Sequence, residues 1–202
     1  MHPYTTDNDR TRFLYAWIAV LGIMCAYALY LLLKTTGLSD TLWFVDVPAV
    51  PGFMVLFYKL FDSKLWNKAL SRKVGINCTP DFSGEWNGEL RSSHDQFTKQ
   101  TPVRLRVEQT ASHISLVLSS DNSRSESCLA MIFTKSPDNG ATIQYAYLNR
   151  PTNTAVRTMH THEGTATLSL SEDGKTLTGN YYTGRDRENH GTLKLTKVTD
   201  AC

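Results

Sequence analysis

The chain has 202 residues, enough for one globular domain with an accessory segment and too few for a large multidomain assembly. With 21 Lys and Arg against 19 Asp and Glu, a net charge of +2, it is no general binder of polyanions, and a hydrophobic fraction of 41% excludes a disordered chain. The mean hydropathy of −0.29 reads as soluble only because it averages two unlike parts.

Residues 1–12 form a short polar tail. Residues 13–33 then read FLYAWIAVLGIMCAYALYLLL, without a charge, between Arg10 and Arg12 on one side and Lys34 on the other. A helix of that length is about 30 Å long, the thickness of a bilayer's hydrocarbon core. The alternatives are a buried core helix or a cleaved signal peptide. The run exceeds a signal peptide's apolar stretch, and no small-residue cleavage site follows it.

A second apolar stretch, residues 42–61, carries Asp46 and is interrupted by Pro48, Pro51 and Gly52. The short link between the stretches returns the chain, so together they predict a two-helix transmembrane hairpin. Arg10 and Arg12 precede it, and Lys59, Lys64, Lys68, Arg72 and Lys73 follow. The positive-inside rule then puts both termini in the cytoplasm. Asp46 is a carboxylate at membrane depth, where a functional role is the first hypothesis. Alternatively the second helix begins at Pro51 and Asp46 sits among the headgroups. The basic linker, 62–79, suits anionic lipid or a solvated helix extension equally.

Residues 80–202 read as all β. Strands are predicted at 82–91, 102–110, 113–120, 128–134, 142–149, 164–171, 176–183 and 191–198. Val103, Leu105 and Val107 alternate with Arg104 and Arg106, and Ile114, Leu116 and Leu118 repeat the pattern. Turn residues separate the runs at Asp121-Asn122, Asn139-Gly140 and Asp173-Gly174. Eight strands joined by hairpins are best closed as an up-and-down, lipocalin-like β-barrel, which abolishes exposed edges and leaves room for one small ligand.

The first of these strands carries DFSGEWNG. Trp86 there is a packed plug at the barrel base or a face for a ligand to stack on. Tyr145, Tyr147 and Asn149 share a strand face, and NYYTGRDR places Tyr181, Tyr182, Arg185 and Arg187 before the last hairpin. Aromatic rings stack on nucleobases and guanidinium groups pair with phosphate, so tyrosines near arginines suit a nucleotide. An ordinary barrel rich in β-forming tyrosines reads the same way. His160 and His162 could begin a zinc site, but a catalytic zinc needs a third ligand. No hydrolase, P-loop or metalloprotease motif occurs. Cys25, Cys78, Cys128 and Cys202 read as reduced thiols.

Two spans, a basic linker and a barrel with DFSGEW, YLNRP, His162 before Gly164, LTGNYYTGR and GTLKLTK resemble the two-transmembrane, β-strand-rich effectors of bacterial CBASS anti-phage systems. The resemblance implies an inner-membrane receptor for a cyclic dinucleotide made by a partner nucleotidyltransferase. It also implies that binding drives homo-oligomerisation, that the hairpins disrupt the bilayer, and that the infected cell dies. Residues 80–202 hold 13 Lys and Arg against 14 Asp and Glu, so any phosphate site must be local. Residues expected at the ligand are Trp86, Tyr145, Arg157, His162, Tyr182, Arg185 and Arg187, with Arg104 and Arg106 in reserve. Asp46 is expected to act in the membrane step. No catalytic residue, cofactor, metal or nucleic-acid polymer is expected. The competing reading is a membrane-tethered carrier or sensor of a small apolar ligand, whose interior would be dominated by Leu, Val and Phe.

Overall fold

A computed structural model describes residues 1–7, 11–37, 43–68, 71, 79–134, 140–185 and 187–198, with the backbone alone at 11–12 and 43–48. Arg10, Asp40, Arg72, Lys73, Cys78, the turn at Asn139, Asp186, Cys202 and the side chains of Arg12 and Asp46 lie outside the described residues. The chain divides into a barrel unit, Met1–Asp7 with Thr79–Cys202, and a helical unit, Asn8–Cys78.

The barrel strands are β1 (His2–Thr6), β2 (Gly84–Ser92), β3 (Thr101–Gln109), β4 (His113–Ser119), β5 (Ser123–Phe133), β6 (Thr142–Pro151), β7 (His162–Leu170), β8 (Thr176–Thr183) and β9 (His190–Lys197). Strands β2 to β9 are the eight expected from the sequence. Each pairs antiparallel with the next, and β2 closes on β9 from Trp86 opposite Lys197 to Ser92 opposite Gly191. The barrel nevertheless has nine strands, because β1 is inserted between β4 and β5. Residues 2–6 are therefore part of the barrel wall and not of a free tail.

A local irregularity makes room for that strand. Strands β4 and β5 pair from Ser119 opposite Arg124 to Val117 opposite Glu126 and then part. Cys128 is an extra residue in β5, between Ser127 opposite Tyr147 and Leu129 opposite Ala146 of β6. Such a bulge bends the strand that carries it. The Ser127 hydroxyl accepts from the Leu116 N–H at 2.9 Å and lies 2.7 Å from His2 Nε2. β1 then runs antiparallel to β4 and parallel to β5, with Tyr4 opposite Ala130. The Tyr4 hydroxyl donates to the carbonyls of Thr110 at 3.0 Å and Ala111 at 2.9 Å.

Along strands β2 to β9 the inward side chains change from apolar at one end toward polar at the other. Strand β3 brings in Val107, Leu105 and Val103 and then Thr101, while β6 brings in Ile143, Tyr145, Tyr147 and Asn149. Phe82, Trp86, Leu105, Ile114, Leu116, Ile132, Ile143, Leu168, Leu177 and Leu195 fill the apolar half at under 2% exposure. The opposite half stays open. The chain enters the barrel at its closed end, where Gln109 accepts from the Phe82 N–H and donates to the Pro80 carbonyl. Strand β1 also ends there, with Thr6 opposite Ile132.

In the helical unit, α1 (Thr11–Thr35) and α2 (Trp43–Leu60) pack antiparallel. Tyr15 stacks with Tyr58 at 6.3 Å between centroids, and Gly22 lies so close to Met54 that a methyl group there would displace that side chain. α1 exposes Phe13, Trp17, Ile23, Met24 and Tyr27 and buries Leu14 and Ile18. Among the described residues it is the one helix long and apolar enough to cross a membrane, over Phe13–Thr35. The second expected span is an apolar helix that starts at Trp43 and not at Pro51, and neither Pro48 nor Pro51 ends it. Each proline forfeits one backbone bond without stopping the helix. That start puts Asp46 near the N-terminal end, where a carboxylate is favoured. The linker begins as a π-helical turn, Phe61–Leu65, closed by the Trp66 N–H on the Phe61 carbonyl at 3.0 Å.

Candidate functional site

The open half of the barrel holds a cavity of about 400 Å³, within the range of small-molecule sites. Its floor and walls are Leu90, Val103, Tyr145, Tyr147, Tyr181 and Leu193. Its rim is polar, with Ser120, Asn122, Ser123 and Ser125 from the β4–β5 hairpin, and His94, Asp95 and Lys99 from the β2–β3 connection. Thr158, Met159 and His162 come from the β6–β7 side and Arg187 and Asn189 from the β8–β9 loop.

Three tyrosines form the aromatic wall, and their burial follows from strand alternation. On β6, Tyr145 and Tyr147 point inward with ring centroids 6.1 Å apart and planes tilted by 53°. On β8, Leu177 and Tyr181 share the inward face, leaving Tyr181 8% exposed and Tyr182 56% exposed. Burial pushes the Tyr145 and Tyr147 phenols well above the ordinary tyrosine range, and Tyr181 adds to the effect on Tyr147 while Arg187 opposes it. Burial also raises Tyr181, against a hydrogen bond from Ser92; Asp95 raises it further and Arg187 lowers it. All three are therefore neutral hydroxyls at physiological pH, able to donate as well as accept. Arg187 is close enough to act on both Tyr147 and Tyr181.

The rim is built by hydrogen bonds between loops. Asn149, 4% exposed, accepts from the Ser125 hydroxyl at 2.8 Å and donates to the Met159 sulfur at 3.4 Å. The Thr152 N–H donates to the Asn122 carbonyl at 2.8 Å, which joins the β6–β7 loop to the β4–β5 hairpin. His162 Nδ1 lies 2.9 Å from the His160 carbonyl, which only accepts, so Nδ1 carries the proton. Around Arg187 the Thr183 hydroxyl bonds both the N–H and the carbonyl of Asn189, at 2.8 and 3.0 Å. The Arg187 N–H itself donates to the Gly184 carbonyl.

Of the residues expected at the ligand, Tyr145, His162 and Arg187 line the cavity. Trp86 does not: fully buried in the closed half, its indole N–H donates to the Phe82 carbonyl at 3.0 Å and Lys197 lies over its ring at 5.1 Å. It is the packed plug. Tyr182 points outward and stacks on His190 at 6.4 Å. Arg157 and Arg185 are exposed in loops and are not part of the lining. The reserve arginines face outward too, Arg106 against Glu108 at 2.7 Å and Arg104 against Asn87 at 3.3 Å. Tyr181 was legible in the sequence, since counting by twos from Leu177 reaches it. Asp95 and Lys99 were not, because the β2–β3 connection has no periodicity to read. Among the described residues no group of three or more His, Cys, Asp or Glu side chains is placed to hold a metal ion.

Residues 77–197 match the family described as "Cap15, cyclic dinucleotide receptor domain". The chain belongs to that family. The matched span covers the entry segment and strands β2 to β9, and so the whole cavity wall. A protein from Yersinia aleksiciae described as "CD-NTase-associated protein 15" is 29% identical over 154 residues, 74% of this chain and 70% of the relative. The kinship with CBASS effectors that the sequence motifs implied is thus supported by family membership, and the barrel is a cyclic dinucleotide receptor domain.

Proposed function

We propose that the chain is a membrane-anchored CBASS effector whose barrel takes a cyclic dinucleotide, made by a partner nucleotidyltransferase, into the cavity at its open end. The observation that carries this reading is the pairing of an aromatic wall, Tyr145, Tyr147 and Tyr181, with the cations Arg187 and Lys99 in one cavity of about 400 Å³. Bases stack on the tyrosines and phosphates pair with the cations. Residues 80–202 as a whole hold 13 Lys and Arg against 14 Asp and Glu, so a phosphate preference has to be local, and this rim is where cations meet the aromatic wall. The apolar-carrier reading asks for an interior dominated by Leu, Val and Phe, whereas here Leu90, Val103 and Leu193 share the cavity with three tyrosines and a rim of Ser, Thr, Asn, Arg and Lys.

In this reading α1 anchors the chain in the inner membrane and the apolar α2, packed antiparallel against it, shares the bilayer, with the termini in the cytoplasm, as the flanking basic residues favour. Ligand binding drives self-association to the extent that the assembled state binds more tightly than the monomer. Gathering the helix pairs in one patch brings copies of Asp46 and the proline-containing α2 together and perturbs the bilayer, causing abortive infection. The receptor does this without catalysing a reaction. The test is dye leakage from liposomes carrying the full chain. Leakage on adding a cyclic dinucleotide supports the reading, and an intact bilayer under saturating ligand overturns the membrane step. Unchanged leakage from Asp46→Ala would remove that residue from it.

A further inference from the structure

Asp95 is the one described residue with a buried side-chain oxygen that lacks a hydrogen-bond partner: Oδ1 is shut off from solvent and unpaired. It sits in the wall of the cavity with Ser92, His94 and Lys99. Its position is fixed by the β2–β3 connection, in which Ser92 accepts from the His94 N–H at 3.2 Å and the Phe97 N–H donates to the Ser92 carbonyl at 2.8 Å. The Thr98 hydroxyl donates to the Asp95 carbonyl at 2.6 Å. Gln96 and Phe97 hold left-handed backbone angles, φ 54° and 62°, which few residues other than glycine adopt without cost. The loop thus fixes the backbone that carries the carboxylate.

That carboxylate opposes the rest of the site in two ways. A buried acceptor left unpaired is costly, and more so when it is charged. An anion beside a phosphate-binding rim also repels the ligand's own charge. Both costs are offset when the ligand brings hydrogen-bond donors to Asp95. Among the four bases only guanine sets two donors side by side, N1–H and the N2 amine, a match for the two oxygens of a carboxylate. Adenine and cytosine present an amine next to an acceptor nitrogen, and uracil a single N–H between two carbonyls. Tyr181 and Asp95 line the same cavity, and the charge of Asp95 helps to hold the Tyr181 proton.

We infer that Asp95 is a specificity-determining residue that reads the donor edge of a guanine, so that the ligand is a cyclic dinucleotide containing at least one guanine. The inference rests on the receptor reading above and narrows it. The experiment is calorimetric titration of the full chain in detergent micelles with cyclic di-GMP, cyclic GMP–AMP, cyclic di-AMP and cyclic UMP–AMP. The guanine-containing ligands are expected to bind about tenfold or more tightly than the other two, the discrimination one good base-edge contact supplies. Asp95→Asn is expected to abolish that preference, weakening the guanine-containing ligands about tenfold while cyclic di-AMP, relieved of the repulsion, binds at least as tightly as it does to wild type. Preference for ligands without guanine overturns the inference and leaves the receptor reading intact. Equal weakening of all four ligands by Asp95→Asn does the same, since Asp95 would then serve a group common to all. If the variant does not fold, judged by its circular dichroism, the wild-type ranking decides alone. Absence of binding by all four overturns the receptor reading itself, and this inference with it.

Discussion

Tyr147 stands directly opposite Gly164 across the β6–β7 ladder, and its ring occupies the space that a Cβ at 164 would need. Tyr181 is laid over Gly191 across β8–β9 in the same way. Both aromatics therefore lie flat against the wall and leave the lumen open. Gly164→Ala forces the Tyr147 ring off its glycine and meets the Tyr182 carbonyl as well. Overpacking of this kind costs about 1–3 kcal/mol, so a thermal melt should show a loss of several degrees. Ligand affinity should fall with it. An unshifted melt with full binding would mean that the ring has freedom to move aside.

The alternation on β8 makes a pair of opposite predictions. Tyr181→Ala removes a stacking face and should cost about 1–3 kcal/mol of cyclic dinucleotide affinity. Tyr182→Ala, on the outside beside His190, should change affinity by no more than about 0.5 kcal/mol. Titration of both variants with one ligand checks the assignment, and a reversed order would mean that the strand's faces are exchanged.

How much of this was legible in the sequence depends on the range of the interaction. Val103, Leu105 and Val107 announce their own inward face, and the eight hairpin-linked strands follow from such local periodicity together with turn residues. Trp86 was ambiguous because alternation gives a side chain's face but not its height along the barrel, and height separates the plug from the cavity wall. Strand β1 was invisible for a different reason. Tyr4 meets Thr110 and Ala111 more than 100 positions away, and the gap it fills lies where β4 and β5 part, beside the bulge at Cys128. The rim residue Asp95 is placed by loop backbone angles at Gln96 and Phe97, which composition does not encode.

The inserted strand should matter to barrel stability. Tyr4→Phe removes one hydroxyl that bonds two carbonyls and should destabilise the barrel by about 0.5–1.5 kcal/mol, while Tyr4→Ala, which also removes a ring packed on the core, should cost about 3 kcal/mol or more. Chemical denaturation followed by tryptophan fluorescence reports this through buried Trp86. Equal melts for wild type and Tyr4→Ala would show that β1 adds nothing to the wall.

Alkaline pH offers a separate check. The Tyr145, Tyr147 and Tyr181 phenols are all raised by burial, so the folded barrel holds their protons more tightly than the unfolded chain does. Their contribution is complete below the unfolded tyrosine value of about 10 and is lost as pH rises from there toward the folded values. Stability measured by denaturation should accordingly decline above about pH 10. Tyr145→Phe should flatten part of that decline, and an unchanged slope would place the phenol in contact with solvent.

If the cyclic dinucleotide enters at the open end of the barrel, its affinity depends on Arg187 at the rim. Calorimetric titration of the full chain in detergent micelles, comparing wild type with Arg187→Ala and Arg185→Ala, tests it most directly. Wild type should bind saturably, Arg187→Ala should lose about 1.5–3 kcal/mol of affinity as expected for a hydrogen bond to a charged group, and Arg185→Ala should bind as wild type does. Wild-type binding that survives Arg187→Ala and is lost in Arg185→Ala would contradict the account.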